Sequence, residues 1–315
     1  MRITLGTATR IDPGANKYFS LEGPYWDAKA NVVLFSDVVE KNGAEQPAGD
    51  PMPKIHKFDP ATSLFSVFDY PTPMPASTNG LGMDSMGRLL VTERVNARVV
   101  RVEGTMLKAL ATEYMGKTFN APNDMVVGNG DNIYFTDTLW GSKKAMADLA
   151  PNSAYRIDPA GVVTKIHSDT SINGIALSPD GKTLYIGNDM ASTVVKFTVG
   201  ADGAPTGAAT PFLSKSSIPG DLFSVPDGIN VDDSGNVYVA MNDNVTNSIA
   251  VFDSTGKYLG EYMVPVPLDA GKMNPKDGPG NGPSNVTFGG ADRKTMYITT
   301  HHTLWKATAP TAGKP

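Results

Sequence analysis

The chain has 315 residues, 40% of them hydrophobic and 19% charged, which is the composition of a folded, soluble protein. Its 27 Lys and Arg against 32 Asp and Glu give a formal net charge of −5, so the chain offers no basic field for binding nucleic acid. The absence of Cys excludes disulfides, thiolate nucleophiles and thiolate metal sites. Any metal must therefore be held by oxygen or imidazole ligands.

No stretch of the chain is apolar for long enough to be a signal peptide or a membrane span. We therefore expect a soluble protein that binds neither membrane nor nucleic acid. It would be cytoplasmic, or periplasmic with its leader removed. We expect a monomer or a weak homodimer.

An internal repeat is the dominant feature of the sequence. Six β-type runs, each ending in small or polar residues, recur roughly every 50 residues. The runs are NVVLFSD (31–37), GRLLVTE (87–93), DNIYFTD (131–137), KTLYIGN (182–188), GNVYVAM (235–241) and KTMYITT (294–300). Further strand-like segments joined by Gly-containing turns follow most of the runs, and no long helical period occurs. The pattern predicts one all-β domain over residues 1–315, a six-bladed β-propeller with four-stranded antiparallel blades.

A second motif lies about a dozen residues before the middle of each run, and its first residue always carries a side-chain oxygen. Equivalent positions in a propeller form a ring about the central channel. Asn-Gly and Asp-Gly pairs can instead simply begin turns, but a turn has no need of the Glu found at the matching place in the first repeat. The ring residues are Glu22, Asn79, Asn123, Asn173, Asp227 and Ser284.

Two carboxylates and several amide oxygens suit a hard divalent cation in the central channel. We expect one such ion, Ca²⁺ before Zn²⁺, Mn²⁺ or Mg²⁺, and no organic cofactor. A cation there would polarise a carbonyl or phosphoryl oxygen, which predicts a hydrolase. Asp227 is favoured over Glu22 as nucleophile or general base, because its short side chain can reach the ring and keep one oxygen free.

The four histidines divide into two groups. His301 lies at the channel end of the last run, where it could act in acid-base chemistry, contact substrate or pack structurally. His56 and His167 are expected on the surface of outer strands.

We expect the residues that contact the substrate to lie near the channel mouth. Arg94, Arg98 and Trp140 are the candidates there. Three stretches longer than a hairpin needs could form the walls of the pocket: 41–54, 138–153 and 264–284.

Seven stretches of the chain match the motifs of one known family in order. They are LEGPYW (21–26), TNGLGMDSMGRLLVTER (78–94), APNDMVV (121–127), IYFTDTLWG (133–141), INGIALSPDGKTLYI (172–186), VPDGINVDDSGNVYVA (225–240) and PSNVTFGGADRKTMYIT (283–299). From about residue 20 to residue 306 the chain resembles the senescence-marker-protein, gluconolactonase and luciferin-regenerating-enzyme family. The resemblance implies a six-bladed propeller with one divalent metal, usually calcium, held by Glu22, Asn173 and Asp227, with Asn123 as a further ligand or a substrate contact.

The gluconolactonase branch is the most similar, which implies hydrolysis of a sugar lactone. In that scheme the metal polarises the lactone carbonyl and Asp227 deprotonates the attacking water. The sugar hydroxyls would be held by Asn79, Asn123, Ser284 and Arg94 or Arg98.

Two other functions stay open at this point. The stretch Thr299-Thr300-His301 resembles one in diisopropyl fluorophosphatase, so a phosphotriesterase on the same metal ring is the first alternative. That enzyme has a second, structural calcium, but one of its Asp ligands is replaced by Asn230 here, so a second metal is not predicted. A propeller that binds a ligand or calcium without catalysis is the second alternative, and the acidic ring argues against it.

Overall fold

The computed structural model describes residues 2–14, 18, 20–38, 54–71, 77–139, 149, 151–242, 247–266 and 282–315. Within them the chain forms six blades of four antiparallel strands each, besides one separate two-stranded hairpin. The four strands are consecutive in sequence in five blades, and the sixth blade takes one strand from the N-terminal region. The prediction of a six-bladed β-propeller is confirmed.

Two short strands, β1 (Thr4–Thr7) and β2 (Thr9–Arg10), precede the blades. The first three blades follow in chain order, each running from its inner to its outer strand. Blade 1 consists of β3 (Leu21–Asp27), β4 (Val32–Asp37), β5 (Lys54–Asp59) and β6 (Leu64–Val67). Blade 2 consists of β7 (Thr78–Met83), β8 (Leu89–Glu93), β9 (Arg98–Glu103) and β10 (Met106–Ala111), and a hairpin of β11 (Glu113–Tyr114) and β12 (Lys117–Thr118) follows it. Blade 3 consists of β13 (Pro122–Val127), β14 (Ile133–Asp137), β15 (Asn152–Ile157) and β16 (Val163–Asp169).

The second half of the chain repeats this plan. Blade 4 consists of β17 (Ile175–Leu177), β18 (Thr183–Asn188), β19 (Thr193–Val199) and β20 (Pro205–Leu213); blade 5 of β21 (Pro226–Val231), β22 (Val237–Met241), β23 (Ser248–Phe252) and β24 (Tyr258–Met263); blade 6 of β25 (Pro283–Gly289), β26 (Thr295–Thr300) and β27 (Leu304–Thr308). Two 3₁₀ turns, Asn129–Asp131 and Lys215–Ser217, complete the described elements. No helix in this part of the chain is long and apolar enough to cross a bilayer.

The N-terminal strands complete the last two blades. Strand β2 pairs antiparallel with β27 and supplies the outermost strand of blade 6. Strand β1 adds to blade 5 by pairing parallel with β24. Because strands from opposite ends of the chain share blade 6, the ring of blades is closed by backbone hydrogen bonds rather than by side-chain packing alone.

The core lies between neighbouring blades. The six residues at the middle of the repeated runs are all buried: Leu34, Leu90, Tyr134, Tyr185, Tyr238 and Tyr297. Between blades 6 and 1, the ring of Trp26 stacks parallel on that of Tyr297, with 6.0 Å between centroids. These residues form the apolar layer that the sequence repeat predicts.

His56 does not lie on the surface, so that prediction is wrong. It lies on β5 and is half-buried, with its ring stacked 5.6 Å from that of Phe35 and 4.9 Å from Tyr18. Burial, aided by the charge of Lys54, lowers its pKa to about 4. His167 is on the outermost strand of blade 3 and is also half-buried.

Candidate active site

The six ring positions lie at the same place in each blade. In five blades the ring residue is the second residue of the inner strand, and in blade 4 Asn173 comes just before β17. The pairing register between the first and second strands shifts in the same five blades, between Glu22 and Tyr25 in blade 1 and between Pro226 and Ile229 in blade 5. A register shift of this kind changes the direction in which nearby side chains point. The ring residue therefore need not follow the alternation between the two faces of its strand.

Polar side chains from four consecutive blades form a continuous hydrogen-bonded chain. Asn79 Nδ2 and Arg94 Nη1 both donate to Asn123 Oδ1, the latter at 2.9 Å. Asn123 Nδ2 in turn donates to Asn173 Oδ1 at 2.7 Å. Asn173 hydrogen-bonds Asp227. The structure therefore brings together four of the predicted ring residues, and Arg94 with them.

The carboxylates of Glu22 and Asp227 share one electrostatic environment. Burial raises the pKa of Glu22 well above its usual range, and the charges of Asp227 and Asp124 raise it further, while Arg94 opposes the shift. Burial is also the main cause of the raised pKa of Asp227, with Asp189 and Asp124 adding to it. Both acids would be stabilised as carboxylates by a positive charge placed between them.

Asp124 is a third buried acid at this site, and the sequence analysis missed it. Its Oδ2 accepts hydrogen bonds from Asn285 Nδ2 at 3.3 Å and from the amide of Ile175 at 3.4 Å, and its Oδ1 accepts from the Met125 amide at 2.9 Å. Burial raises its pKa to about 7. Asp124 and Asn285 belong to blades 3 and 6, so this pair joins two opposite sides of the propeller.

A sequence signal for this pair did exist. The residue after the ring residue is glycine in four blades, and Asp124 and Asn285 are the two exceptions. The glycines are needed because the blades approach closely: a Cβ on Gly23, whose φ is +50°, would lie 2.1 Å from the carbonyl oxygen of Asn79, and one on Gly174 would lie 2.2 Å from that of Asp227.

A second set of positions lies at the same end of the blades as the ring. The first strand of each blade starts where the second, antiparallel strand ends. We call the residue that directly follows the second strand the rim position. The rim positions are Val38, Arg94, Thr138, Asp189, Asn242 and His301.

The sequence analysis identified Arg94 and His301 but missed Asp189 and Asn242. Both missed side chains are at least nine-tenths buried. Asn242 Nδ2 donates to Asp227 Oδ2 at 3.0 Å, and the charge of Asp189 raises the pKa of Asp227. Counting the residue after every repeated run would have found them.

His301 is at the channel end of blade 6, as predicted. Its Nε2 is buried and makes no hydrogen bond with any residue that the structure describes. Burial, aided by His302, lowers its pKa to about 4, so the imidazole is neutral at pH 7.

Two predicted substrate contacts, Ser284 and Arg98, bond to groups outside the hydrogen-bonded chain that runs from Asn79 to Asp227. Ser284 is fully buried, its hydroxyl donates to the carbonyl oxygen of Leu21 at 2.6 Å, and it lies 2.9 Å from Thr299 Oγ1. Arg98 lies on the third strand of blade 2 and forms an ion pair with buried Glu93. Trp140 lies outside the described residues, as does most of each of the three predicted wall loops.

A cavity of about 50 Å³ lies near Asp124 and Asn285, but it is not the candidate active site. None of the six ring residues lines it. Its walls are largely apolar residues of the inner strands, and its polar lining residues include Asn230 and Lys314. Asn230 Nδ2 donates to the carbonyl oxygens of Val286 and Lys314, at 3.1 and 3.4 Å.

The donor set at the ring fits a hard cation better than a soft one. No three His, Asp or Glu side chains among the described residues are grouped closely enough to hold a metal by themselves. The ring instead offers two carboxylates, Glu22 and Asp227, supplemented by the amide oxygen of Asn173. Buried acids that repel one another, together with neutral amide oxygens, are typical of calcium sites.

The ring motifs and the six blades agree with a family match over most of the chain. Residues 21–302 match the model of the SMP-30/Gluconolactonase/LRE-like region. The chain belongs to this family. It is 27% identical to a gluconolactonase of Zymomonas mobilis, over 98% of this chain and 84% of that protein.

Two solved structures of family members share the fold. A gluconolactonase from Xanthomonas campestris is 25% identical to this chain and superposes on it with a TM-score of 0.73. The alignment covers 98% of this chain and 100% of the other. A calcium-binding protein, regucalcin, from Agrobacterium tumefaciens is 18% identical, with 99% and 97% coverage and a TM-score of 0.74. At that identity the second match supports the fold alone.

Proposed function

We propose that this protein is a hydrolase that opens sugar lactones with the help of one divalent cation, Ca²⁺ in the first place. The observation that carries the proposal is the convergence of Glu22, Asn173 and Asp227 in one ring, joined through Asn123 to Asn79 and Arg94. The similarity to a gluconolactonase along 98% of the chain supports the choice of substrate class.

The metal would be held by Glu22, Asn173 and Asp227. When bound, it supplies positive charge that polarises the lactone carbonyl. The raised pKa values of Glu22 and Asp227 support this assignment, because a cation would offset the repulsion that burial leaves between the two carboxylates.

Asp227 is proposed as the general base. It is buried at the ring, where Asn242 and Asn173 hydrogen-bond its carboxylate, and it would take a proton from the water that attacks the lactone carbonyl. When the ring C–O bond breaks, Asp227 would return that proton to the departing ring oxygen, which becomes a hydroxyl, and the new carboxylic acid releases its own proton to solvent. No organic cofactor takes part in this sequence of bond changes.

Arg94, Asn79 and Asn123 are proposed to bind the hydroxyl groups and ring oxygen of the substrate. Arg94 is 7% exposed and Asn123 is 8% exposed, so each keeps only a narrow surface for a ligand. A guanidinium and two amides match a small molecule with many hydroxyl groups better than they match an apolar one.

The test is a proton-release assay with D-glucono-1,5-lactone. We expect hydrolysis that is lost in EDTA and restored by Ca²⁺. Asp227→Asn should be inactive, and Asp233→Asn, which alters an exposed acid paired with Arg293, should retain activity. A wild type that is inactive on this and other sugar lactones but active on a fluorophosphate ester would instead favour the phosphotriesterase.

A further inference from the structure

Asn242 is attached rigidly to the strand pair that carries Asp227. It follows Met241, the last residue of β22, and Met241 pairs with Pro226, the residue before Asp227. The amide of Asn242 also donates to the carbonyl oxygen of Val225 at 3.1 Å. Asp227 and Asn242 therefore lie diagonally across the end of one two-stranded ladder, on either side of the Pro226–Met241 pair, and backbone hydrogen bonds limit their relative movement.

The orientation of the Asn242 side chain is set by Asp227. Its Nδ2 donates to Asp227 Oδ2 at 3.0 Å, so its Oδ1 must face the other way. That Oδ1 is buried and makes no hydrogen bond within the described part of the chain. A buried acceptor without a partner costs stability, and such groups are uncommon in native proteins.

Pairing both ends of a buried amide favours stability, so an asparagine that only supports the fold gains from satisfying both. Asn188 gives the comparison, because it is equally buried and lies at the end of the second strand of blade 4. Its Oδ1 accepts from the Ala191 amide at 2.9 Å and its Nδ2 faces Thr170 Oγ1 at 3.5 Å. Asn242 uses its donor end on Asp227 and leaves its acceptor end unpaired.

We propose that Asn242 is a positioning residue for the lactone hydrolysis proposed above, on which this inference rests. By holding Oδ2, it fixes the rotation of the Asp227 carboxylate, so that Oδ1 is the oxygen that takes the proton from water. Asp189, at the rim position of the preceding blade, places a like charge near the same carboxylate.

The test compares two replacements of Asn242 that separate its shape from its donor. Asn242→Asp keeps the shape but replaces the N–H donor with an oxygen that repels Asp227. Asn242→Ala removes the side chain and leaves space for water. We expect kcat to fall 10- to 100-fold in N242A with KM changed by less than threefold, and to fall further in N242D.

Matched variants and a second measurement distinguish a loss of Asp227 positioning from a general effect on the structure. Asn188→Ala and Asn188→Asp alter an equally buried asparagine that does not touch Asp227, and they should keep kcat within threefold of the wild type. Calcium affinity, measured by calorimetry, should weaken in N242A, which removes the hydrogen bond without adding charge, and stay unchanged in N188A.

The inference is overturned if N242D is as active as wild type or more active than N242A, because shape rather than the donor would then matter. It is also overturned if the Asn242 and Asn188 variants lose activity and thermal stability in parallel. A wild type that hydrolyses no lactone would contradict the proposed function instead, and the calcium affinities of the variants would still report on the contact with Asp227.

Discussion

Blades 5 and 6 carry different chemistry on the same backbone plan. In blade 5 the ring residue is Asp227 and the rim residue is Asn242, and the two are hydrogen-bonded. In blade 6 the ring residue is Ser284, whose hydroxyl donates a hydrogen bond to the carbonyl oxygen of Leu21. The rim residue of blade 6 is His301, whose buried Nε2 has no hydrogen-bond partner among the described residues. The repeat thus fixes the position of a side chain in its blade. The type of residue at that position decides whether it belongs to the proposed active site or forms a structural hydrogen bond between blades.

The largest effect is expected from Asp227→Asn in blade 5. The amide keeps the shape of the side chain but cannot accept a proton from water, so lactone hydrolysis should fall by about 10³-fold or more. Initial rates of proton release at saturating lactone and Ca²⁺ measure this loss. Retention of a tenth of the activity would remove Asp227 from the role of base.

The second effect concerns Asp124, which hydrogen-bonds Asn285 of blade 6. Its pKa rises from 3.8 to about 7 on folding, so the folded protein keeps a proton that the unfolded chain releases. The contribution of Asp124 to the stability of the metal-free protein should therefore be lost as the pH rises from about 4 to about 7, and the raised pKa values of Glu22 and Asp227 act with the same sign. Asp124→Asn should remove this pH dependence, which amounts to on the order of 4 kcal/mol for a shift of this size.

Urea unfolding in EDTA at pH 4.5 and pH 7.5 gives the comparison. The lowered pKa values of His56 and His301 act with the opposite sign in this window, because the unfolded chain binds protons that the folded protein does not. The difference between variant and wild type cancels the histidine contribution and reports Asp124 together with its effect on Glu22 and Asp227. Identical pH slopes in the two proteins would refute the account.

A third prediction makes the rim of blade 6 resemble that of blade 5. His301→Asn removes the imidazole and should lower kcat/KM about fivefold to tenfold, as expected for one contact made by a neutral side chain. Since the pKa of His301 is lowered to about 4, the pH profile between 5.5 and 8 should keep its shape. A limb in that range that the wild type shows and His301→Asn lacks would show that His301 titrates during catalysis.

The smallest effect is expected at the ring position of blade 6. Ser284→Ala deletes the hydrogen bond from blade 6 to the carbonyl of Leu21 and should lower the free energy of unfolding by about 1 kcal/mol. The KM for lactone should not change, because the hydroxyl is fully buried. A raised KM with unchanged stability would restore Ser284 as a substrate contact.

The fold was predictable because its signal is repeated six times. The inner runs, the buried aromatic at the middle of most of them and the oxygen-bearing residue before them all recur, so chance agreement at one blade is outweighed by the others. Glu22, Asn173 and Asp227 stand out in the same pattern. That the ring holds a metal stays a prediction.

The rest of the site depends on contacts between blades, which no repeat specifies. Asp124 meets Asn285 across the propeller, and Asp189 of blade 4 acts on Asp227 of blade 5. Arg94 and Arg98 look alike in sequence, but only Arg94 follows the end of a strand and reaches Asn123. Arg98 is held on the third strand by Glu93.

The most direct test of the central claim is a calcium titration of the chelator-treated protein, with bound calcium and lactone hydrolysis followed together. The account predicts that activity returns in proportion to binding and is complete at one equivalent, and that Glu22→Gln weakens both in parallel. Full hydrolysis of the lactone by protein that holds no divalent metal would contradict it.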